Sequence, residues 1–430
     1  MKKTLFDVVV LGSSINGKYA LSEINRNKPD LKVGIVDSKN VLQELITKTE
    51  VTSNIQYSGH NKRNSINSDK YERWGGALML WPESQAFNNI QNLFDINTKE
   101  FNSYENEILS IFGLEEKWLK KIKPTEKLKD KYIINTAFVT KNLTLNNLAK
   151  SAEVFDDLII FKIIDKKTHL VLIGYDFINN KDIEIKSKKL ILAAGAIENA
   201  RVLLNSSSLH IKNLGQNLSD HVNTDIYKFK SSSLPENLTR YFENNSEFWP
   251  RLQNTNRFSG DDNTFFGHIS KIKKTFLPKE NLLFKDERST KYNFSLFYEK
   301  KADKNNYISA SKPVDEILPI NIHFNLSDQD IQQFTLMKNN MFDFFKNNYP
   351  IEKHNFDKDF LPVDFTDTLH PSGVTSYNSH PNKSVVSKNG NLIINENIVV
   401  LGTSNFPRPF SIHPTLASLA LTKHIILNNF

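Results

Sequence analysis

Residues 6–11, FDVVVL, form a short β-branched run. It leads directly into GSSING at 12–17 and then KYALSEINRN, where Tyr19, Ala20, Leu21 and Ile24 fall at helical spacing. A second apolar run, KVGIVD, ends at Asp37, about 20 residues beyond Gly17. Strand, glycine turn, helix, strand and acid in that order commit the chain to open as a βαβ unit of the dinucleotide-binding type. In such a unit one glycine permits the tight turn and a second lets backbone N–H groups approach a pyrophosphate. A third lets the helix pack on the strand with its N-terminus toward the phosphates. Ser14 holds the middle position here, small enough to keep the approach close, with a hydroxyl able to bond a phosphate oxygen. Asp37 is expected to accept from the ribose hydroxyls of the adenosine half. The alternative is a βαβ turn that binds nothing.

Further along, YERWGGALMLWPES at 71–84 sets Gly75 and Gly76 beside Trp74, a pairing that lets backbone pass close to a flat ring. The stretch 98–123 reads as a charged helix inside an otherwise irregular segment, 86–134. Residues 154–164 and 169–174 read as strands of a hairpin or meander that continues toward 190. There LILAAGAIENARVLL stops an apolar strand at Ala193-Ala194-Gly195 and starts a helix carrying Glu198 and Asn199 in its first turn. Those small residues would let a cofactor approach, although a bare βα turn has the same signature. Residues 327–348 carry Ile331, Phe334, Leu336, Met337, Met341, Phe342 and Phe345 at helical spacing, a stripe assigned to packing.

Composition narrows the chemistry. With no cysteine, disulfides, thiolate metal sites and cysteine nucleophiles are excluded, and redox chemistry needs a borrowed cofactor. A net charge of +7 is spread along the chain, so nucleic acid is not an expected partner. No run approaches the roughly 18 apolar residues of an integral membrane segment. Asp7 interrupts the opening apolar run, which therefore reads as a strand and not as a secretory signal. A soluble, cytoplasmic protein is expected.

The segments VVVLGSSING, RWGGALMLW, LILAAGAIENARVLLNS, LGQNLSDH at 214–221, HPSGVTSYN at 370–378, SVV at 384–386 and VVLGTSNFPRPFSIHPTLASLAL at 399–421 occur in one order. In that order they resemble the glucose–methanol–choline (GMC) family of flavin-dependent oxidoreductases, especially its pyranose-oxidase-like bacterial branch. The resemblance implies FAD and oxidation of an alcohol, by hydride transfer to flavin N5. It also implies an active-site pair, His370 and His413. The FAD contacts it implies come from Gly12, Ser13, Ser14, Asn16, Gly17 and Asp37 of the first unit. Trp74, Gly75 and Gly76 would add to these, with Ala194, Gly195 and Asn199 from the second glycine turn. The C-terminal segment would contribute Gly402, Thr403, Pro414 and Thr415. This sequence departs from the family at Gly373-Val374, where Gly-Thr is usual, and at Tyr377-Asn378, where Met-Gly is usual. Arg408-Pro409-Phe410 stands where the family has small residues near the flavin, and the resemblance implies that Arg408 or Phe410 could shape a substrate pocket.

The histidine pair also has a physical rationale. An alcohol releases hydride quickly only if a base takes the hydroxyl proton, and imidazole, with an unperturbed pKa near 6.5, typically contributes about 10²–10⁴-fold in that role. Proline follows each histidine and holds its backbone extended. His221, His380 and His424 are assigned to structure, and no metal site is expected. The architecture that follows is α/β: a discontinuous, Rossmann-like FAD-binding domain, residues 1–224 and 366–430, with an inserted α+β antiparallel-sheet substrate domain, 225–365. The expected partners are a small-molecule alcohol or saccharide and an electron acceptor that the sequence does not identify. Two other readings stay open: a flavoprotein that has lost alcohol oxidation, acting as a redox-neutral isomerase or binding protein, and an NAD(P)-dependent reductase.

Overall fold

The structure, a computed structural model, describes residues 4–38, 55–58, 94–111, 126–128, 132–138, 152–176, 178–230, 248–254, 265–271, 291–300, 302–310, 320–348, 353–354, 365–367, 370–408 and 414–430. The N-terminal run forms β1, Leu5–Leu11; the helix α1 spans Ile15–Asn27, and β2 spans Val33–Val36. Val8, Val9 and Val10 are all buried, as a central parallel strand covered on both faces requires. β1 lies parallel to β2, with Val8 opposite Val33, and parallel to Lys181–Leu192, with Val9 opposite Leu190. Lys181–Leu192 in turn pairs in parallel with Asn395–Val400. The first sheet thus runs Asn391–Leu392, Asn395–Val400, Lys181–Leu192, β1, β2, Glu153–Phe155.

Alternate residues of β1 feed two cores. Val8 and Val10 face Tyr19, Ala20 and Ile24 of α1, Phe101 and Ile108 of the Thr98–Ile111 helix, and Leu416, Leu419 and Ala420 of the C-terminal helix Thr415–Asn429. Val9 and Leu11 face the meander strands Leu158–Asp165 and Leu170–Asp176 and the helix Ala196–Asn205. The C-terminal helix is buried nearly all round, and its small residues Ala417, Ser418 and Ala420 let α1 pack close. Buried charges tie the same three helices together. Glu23, 1% exposed, is bonded by Arg26, and Lys423 and Arg26 both bond Glu107.

The stretch 154–164, expected as one strand, is two. Glu153–Phe155 pairs in parallel with β2, while Leu158–Asp165 turns antiparallel into the meander. Between them Asp157 takes φ 63°, a left-handed conformation that Asp tolerates better than most residues. The expected helix at 98–123 is described as Thr98–Ile111; its remainder and the 71–84 glycine segment lie outside the described residues.

A second, antiparallel sheet runs Lys353–His354, His221–Lys230, Lys291–Glu299, Phe265–Lys271, Phe248–Asn254, Tyr132–Phe138, Glu126–Leu128, and Thr366–Asp367 also pairs with His221–Lys230. Glu126–Leu128 and Tyr132–Phe138 thereby join the inserted part of the chain in this sheet, although both precede residue 224. Asp330, near the start of helix Asp328–Asn348, accepts from Tyr298 Oη and lies 2.9 Å from Lys300 Nζ, fixing the helix to the end of the interior strand Lys291–Glu299. In the expected packing stripe of that helix, Phe334 and Met337 are buried but Leu336 is 54% exposed. A third sheet joins Tyr307–Ala310, Ile320–His323 and Ile55–Ser58. The α/β expectation holds: a parallel-sheet core accompanied by antiparallel sheets.

Candidate active site

Three adjacent parallel strands of the first sheet end in step. Leu11, Leu192 and Val400 share one register, and each chain then turns through a glycine with positive φ: Gly12 at 102°, Gly195 at 88° and Gly402 at 98°. Ligands of open α/β sheets bind outside the carboxyl ends of the strands, and these turns form that rim. At Gly12 the reason for glycine is steric, because a Cβ would sit 2.6 Å from the Ala193 carbonyl oxygen. At Gly17 it is closer still: a Cβ would sit 2.1 Å from the Gly12 carbonyl oxygen, so this residue lets α1 start tight against the turn. Gly195 differs in having nothing within 4 Å of its would-be Cβ, and it leaves open room at the rim.

Most side chains around this rim build it, and one is left without a hydrogen-bond partner among the described residues. Ser14 caps α1, its Oγ accepting from Gly17 N at 3.4 Å and donating to Ala193 O at 2.7 Å. Its hydroxyl proton is therefore engaged by the neighbouring turn, where the sequence suggests a phosphate oxygen. Asn16 Oδ1 accepts from Ser418 Oγ and Thr422 Oγ1, joining α1 to the C-terminal helix. Asn199 accepts from Ala194 N at 3.0 Å and donates to Leu401 O at 3.3 Å, holding the second and third turns together. Ser13 presents a different case: its Oγ is buried and has no hydrogen-bond partner among the described residues. Ser13 N donates to Asp37 Oδ2 at 2.8 Å. Burial pushes the Asp37 carboxyl up to about 6, against the Ser13 bond, which lowers it, with Asp156 adding repulsion. An orphan hydroxyl, a half-buried carboxylate acceptor, a helix N-terminus and an open glycine turn fit the adenosine diphosphate half of a dinucleotide.

The His370 loop is fastened to the same rim. Thr403 Oγ1, one residue past Gly402, donates to Pro371 O at 2.8 Å. Thr375 N and Tyr377 N donate to Ser404 O and Asn405 O. From the other side Ser219 and Ser372 exchange backbone hydrogen bonds at 3.0 and 2.9 Å, and His370 N donates to Asp220 Oδ1 at 3.0 Å. His370 is half-buried, and its Nδ1 lies 3.2 Å from Nδ1 of His221, which is fully buried. The rings meet edge to face, with centroids 5.3 Å apart. Asp220, His221 and His370 each offer a potential ligand atom, all within 4.8 Å of one another.

Sequence reasoning assigns His221 to structure, and only cross-strand geometry reveals its place. It opens the strand His221–Lys230 directly opposite Glu299, so both side chains share one face of the second sheet. Glu299 is buried, and Arg408 Nε lies 3.3 Å from its Oε1. Arg408 therefore meets the antiparallel sheet at the site's edge. His413, Phe410, Trp74, Gly75 and Gly76 lie outside the described residues, while Pro414 and Thr415 begin the C-terminal helix. His380 is exposed, and half-buried His424 lies 3.5 Å from Glu100 on the opposite helix.

Residues 302–422 match the family model for GMC oxidoreductases, and this span contains the His370 loop, the Gly402 turn and most of the C-terminal helix. The C-terminal part of the chain is thus similar to a GMC oxidoreductase domain. The fold of the whole chain is similar to that of solved oxidases. It is similar to the formate oxidase of Aspergillus oryzae RIB40, with TM-score 0.66 and 13% identity, covering 99% of this chain and 98% of that one. It is also similar to pyridoxine 4-oxidase from Mesorbium loti, with TM-score 0.61 and 11% identity, over 98% and 99% of the two chains. No curated protein matches the chain by sequence. At such identities the likeness is one of fold.

Proposed function

We propose that the chain is an FAD-dependent oxidoreductase of the GMC type that oxidises a hydroxyl group of an alcohol, a sugar or glycan being the favoured substrate class. The observation that carries this reading is the fastening of His370, through Pro371 O and Thr403 Oγ1, to the rim formed by the three glycine turns. Among the described residues, the His370 loop is the histidine loop bonded to that rim, where a dinucleotide would lie. When bound, FAD would supply a hydride acceptor for the carbinol carbon. The protein's part is to remove the hydroxyl proton. His370 Nε2 takes it, and His413, next to Pro414 at the start of the C-terminal helix, is the second imidazole proposed to orient the hydroxyl. The cofactor would be held by Gly12, Ser13 and Gly17 at the diphosphate, by Asp37 at the ribose, and by the Gly195 and Gly402 turns beyond it. Residues 1–224 and 366–430 are proposed as the FAD-binding part and 225–365 as the substrate part, with 126–138 contributing strands to the latter's sheet.

Anaerobic mixing of the FAD-loaded protein with a panel of sugars and small alcohols tests this directly. Bleaching of the flavin band is expected with at least one of them, and His370→Ala and His413→Ala should each keep FAD yet slow bleaching at least about tenfold. Undiminished bleaching in both variants would remove the histidine assignment. A protein that binds FAD but is never reduced would favour the reading in which alcohol oxidation has been lost.

A further inference from the structure

The contact between His221 and His370 does more than fill space. Two imidazoles meeting Nδ1 to Nδ1 at 3.2 Å share one proton, since one ring must donate and the other accept. If His221 donated, neutral His370 would carry its own proton on Nε2 and could not act as a base there. If His370 donates, its Nε2 keeps a lone pair, and the Nδ1–H bond to His221 persists after Nε2 has taken a proton. We infer that His221 is a positioning residue that accepts a hydrogen bond from His370 Nδ1–H and so holds His370 in the tautomer whose Nε2 is the base.

The surroundings support this direction. Asp220 Oδ1 fixes the His370 backbone through its N–H, so the loop cannot slide away from the pair. His221 is held by its place in the strand pairing, opposite buried Glu299, which Arg408 approaches from the C-terminal loop. Among the described residues, the charged groups beside the pair are Asp220 on its own segment and Glu299 on the neighbouring strand, with Arg408 next to Glu299. A buried acceptor that selects a histidine tautomer is a recurrent device wherever one ring nitrogen must stay free for chemistry. The inference rests on His370 being the base proposed above.

The test uses the FAD-loaded protein and two substitutions. In His221→Asn the amide oxygen stands where Nδ1 stood and preserves the acceptor, whereas His221→Leu removes it. In protein labelled with ¹⁵N-histidine, His370 of the parent and of His221→Asn should show a protonated Nδ1 and an unprotonated Nε2, and His221→Leu should lose that pattern. With an alcohol that bleaches the flavin, His221→Leu should lower kcat at least about tenfold with little change in KM, and His221→Asn should recover most of it. A parent His370 carrying its proton on Nε2 would overturn the inference. Bleaching of His221→Leu at the parent rate, while His370→Ala is slow, would overturn it equally. So would purified protein holding a stoichiometric divalent cation that His221→Leu loses, because a cation would occupy both Nδ1 lone pairs. If His370→Ala bleaches normally, the base assignment itself fails, whatever the tautomer measurement shows.

Discussion

Asp37→Asn should make the cofactor-free protein more stable at alkaline pH and leave it unchanged in acid. The carboxyl stands at the end of β2, accepts from Ser13 N at 2.8 Å, and is pushed by burial to about 6 from 3.8. A value raised in the folded state means that folding favours the protonated form. The carboxyl therefore carries no penalty below about pH 4, and an increasing one as pH rises through 6. A rise of that size corresponds to about 3 kcal/mol at full ionisation, an order-of-magnitude figure. The asparagine variant escapes this cost while its amide oxygen still accepts from Ser13 N. Urea unfolding of cofactor-free parent and variant should show the variant ahead by about 2–3 kcal/mol near pH 8 and by almost nothing near pH 4. With FAD the order should reverse at neutral pH, because a carboxylate accepts from ribose hydroxyls more strongly than an amide does. A stability gap of the same size at both pH values would refute the reasoning, since it would owe nothing to ionisation.

Gly17→Ala sets helix propensity, which favours alanine by about 1 kcal/mol, against a Cβ 2.1 Å from Gly12 O. The clash should win, lowering stability by about 1–3 kcal/mol in urea unfolding and reducing FAD occupancy, and a more stable variant would show that the turn yields easily. Lys423→Met removes a buried cation shared by Glu107 and Glu23, the latter at 4.0 Å and with its side chain 1% exposed. Because Arg26 still bonds both carboxylates, the loss should be about 2–3 kcal/mol, below that for a wholly orphaned buried charge, and adding Glu23→Gln should recover part of it. Additive losses in the double variant would show that the two groups do not interact.

Much of the nucleotide half was legible in the chain because its signals are local. β1, α1 and β2 follow from residue periodicity, and Gly12 and Gly17 are demanded by contacts within a few residues or with the adjacent strand. The turn at Gly195 and the helix after it were readable for the same reason. Where the sequence misled, the missing information was spatial. The run 154–164 is mostly apolar, which reports burial but not that Asp157 breaks it between two strands with different partners.

The amino-acid order alone determined that this chain begins as a dinucleotide-type βαβ unit and that His370 sits in a proline-fixed loop, since backbone sterics and hydrophobic period act between near neighbours. Only the tertiary structure decided what meets that loop. His221 reaches His370 across 149 residues, Glu299 meets Arg408 from a distant part of the chain, and Ser14 gives its hydroxyl to the Ala193 turn. These contacts depend on strand register and on which sheet edges adjoin. Both are set by the packing of distant segments together, a property no single stretch of sequence carries.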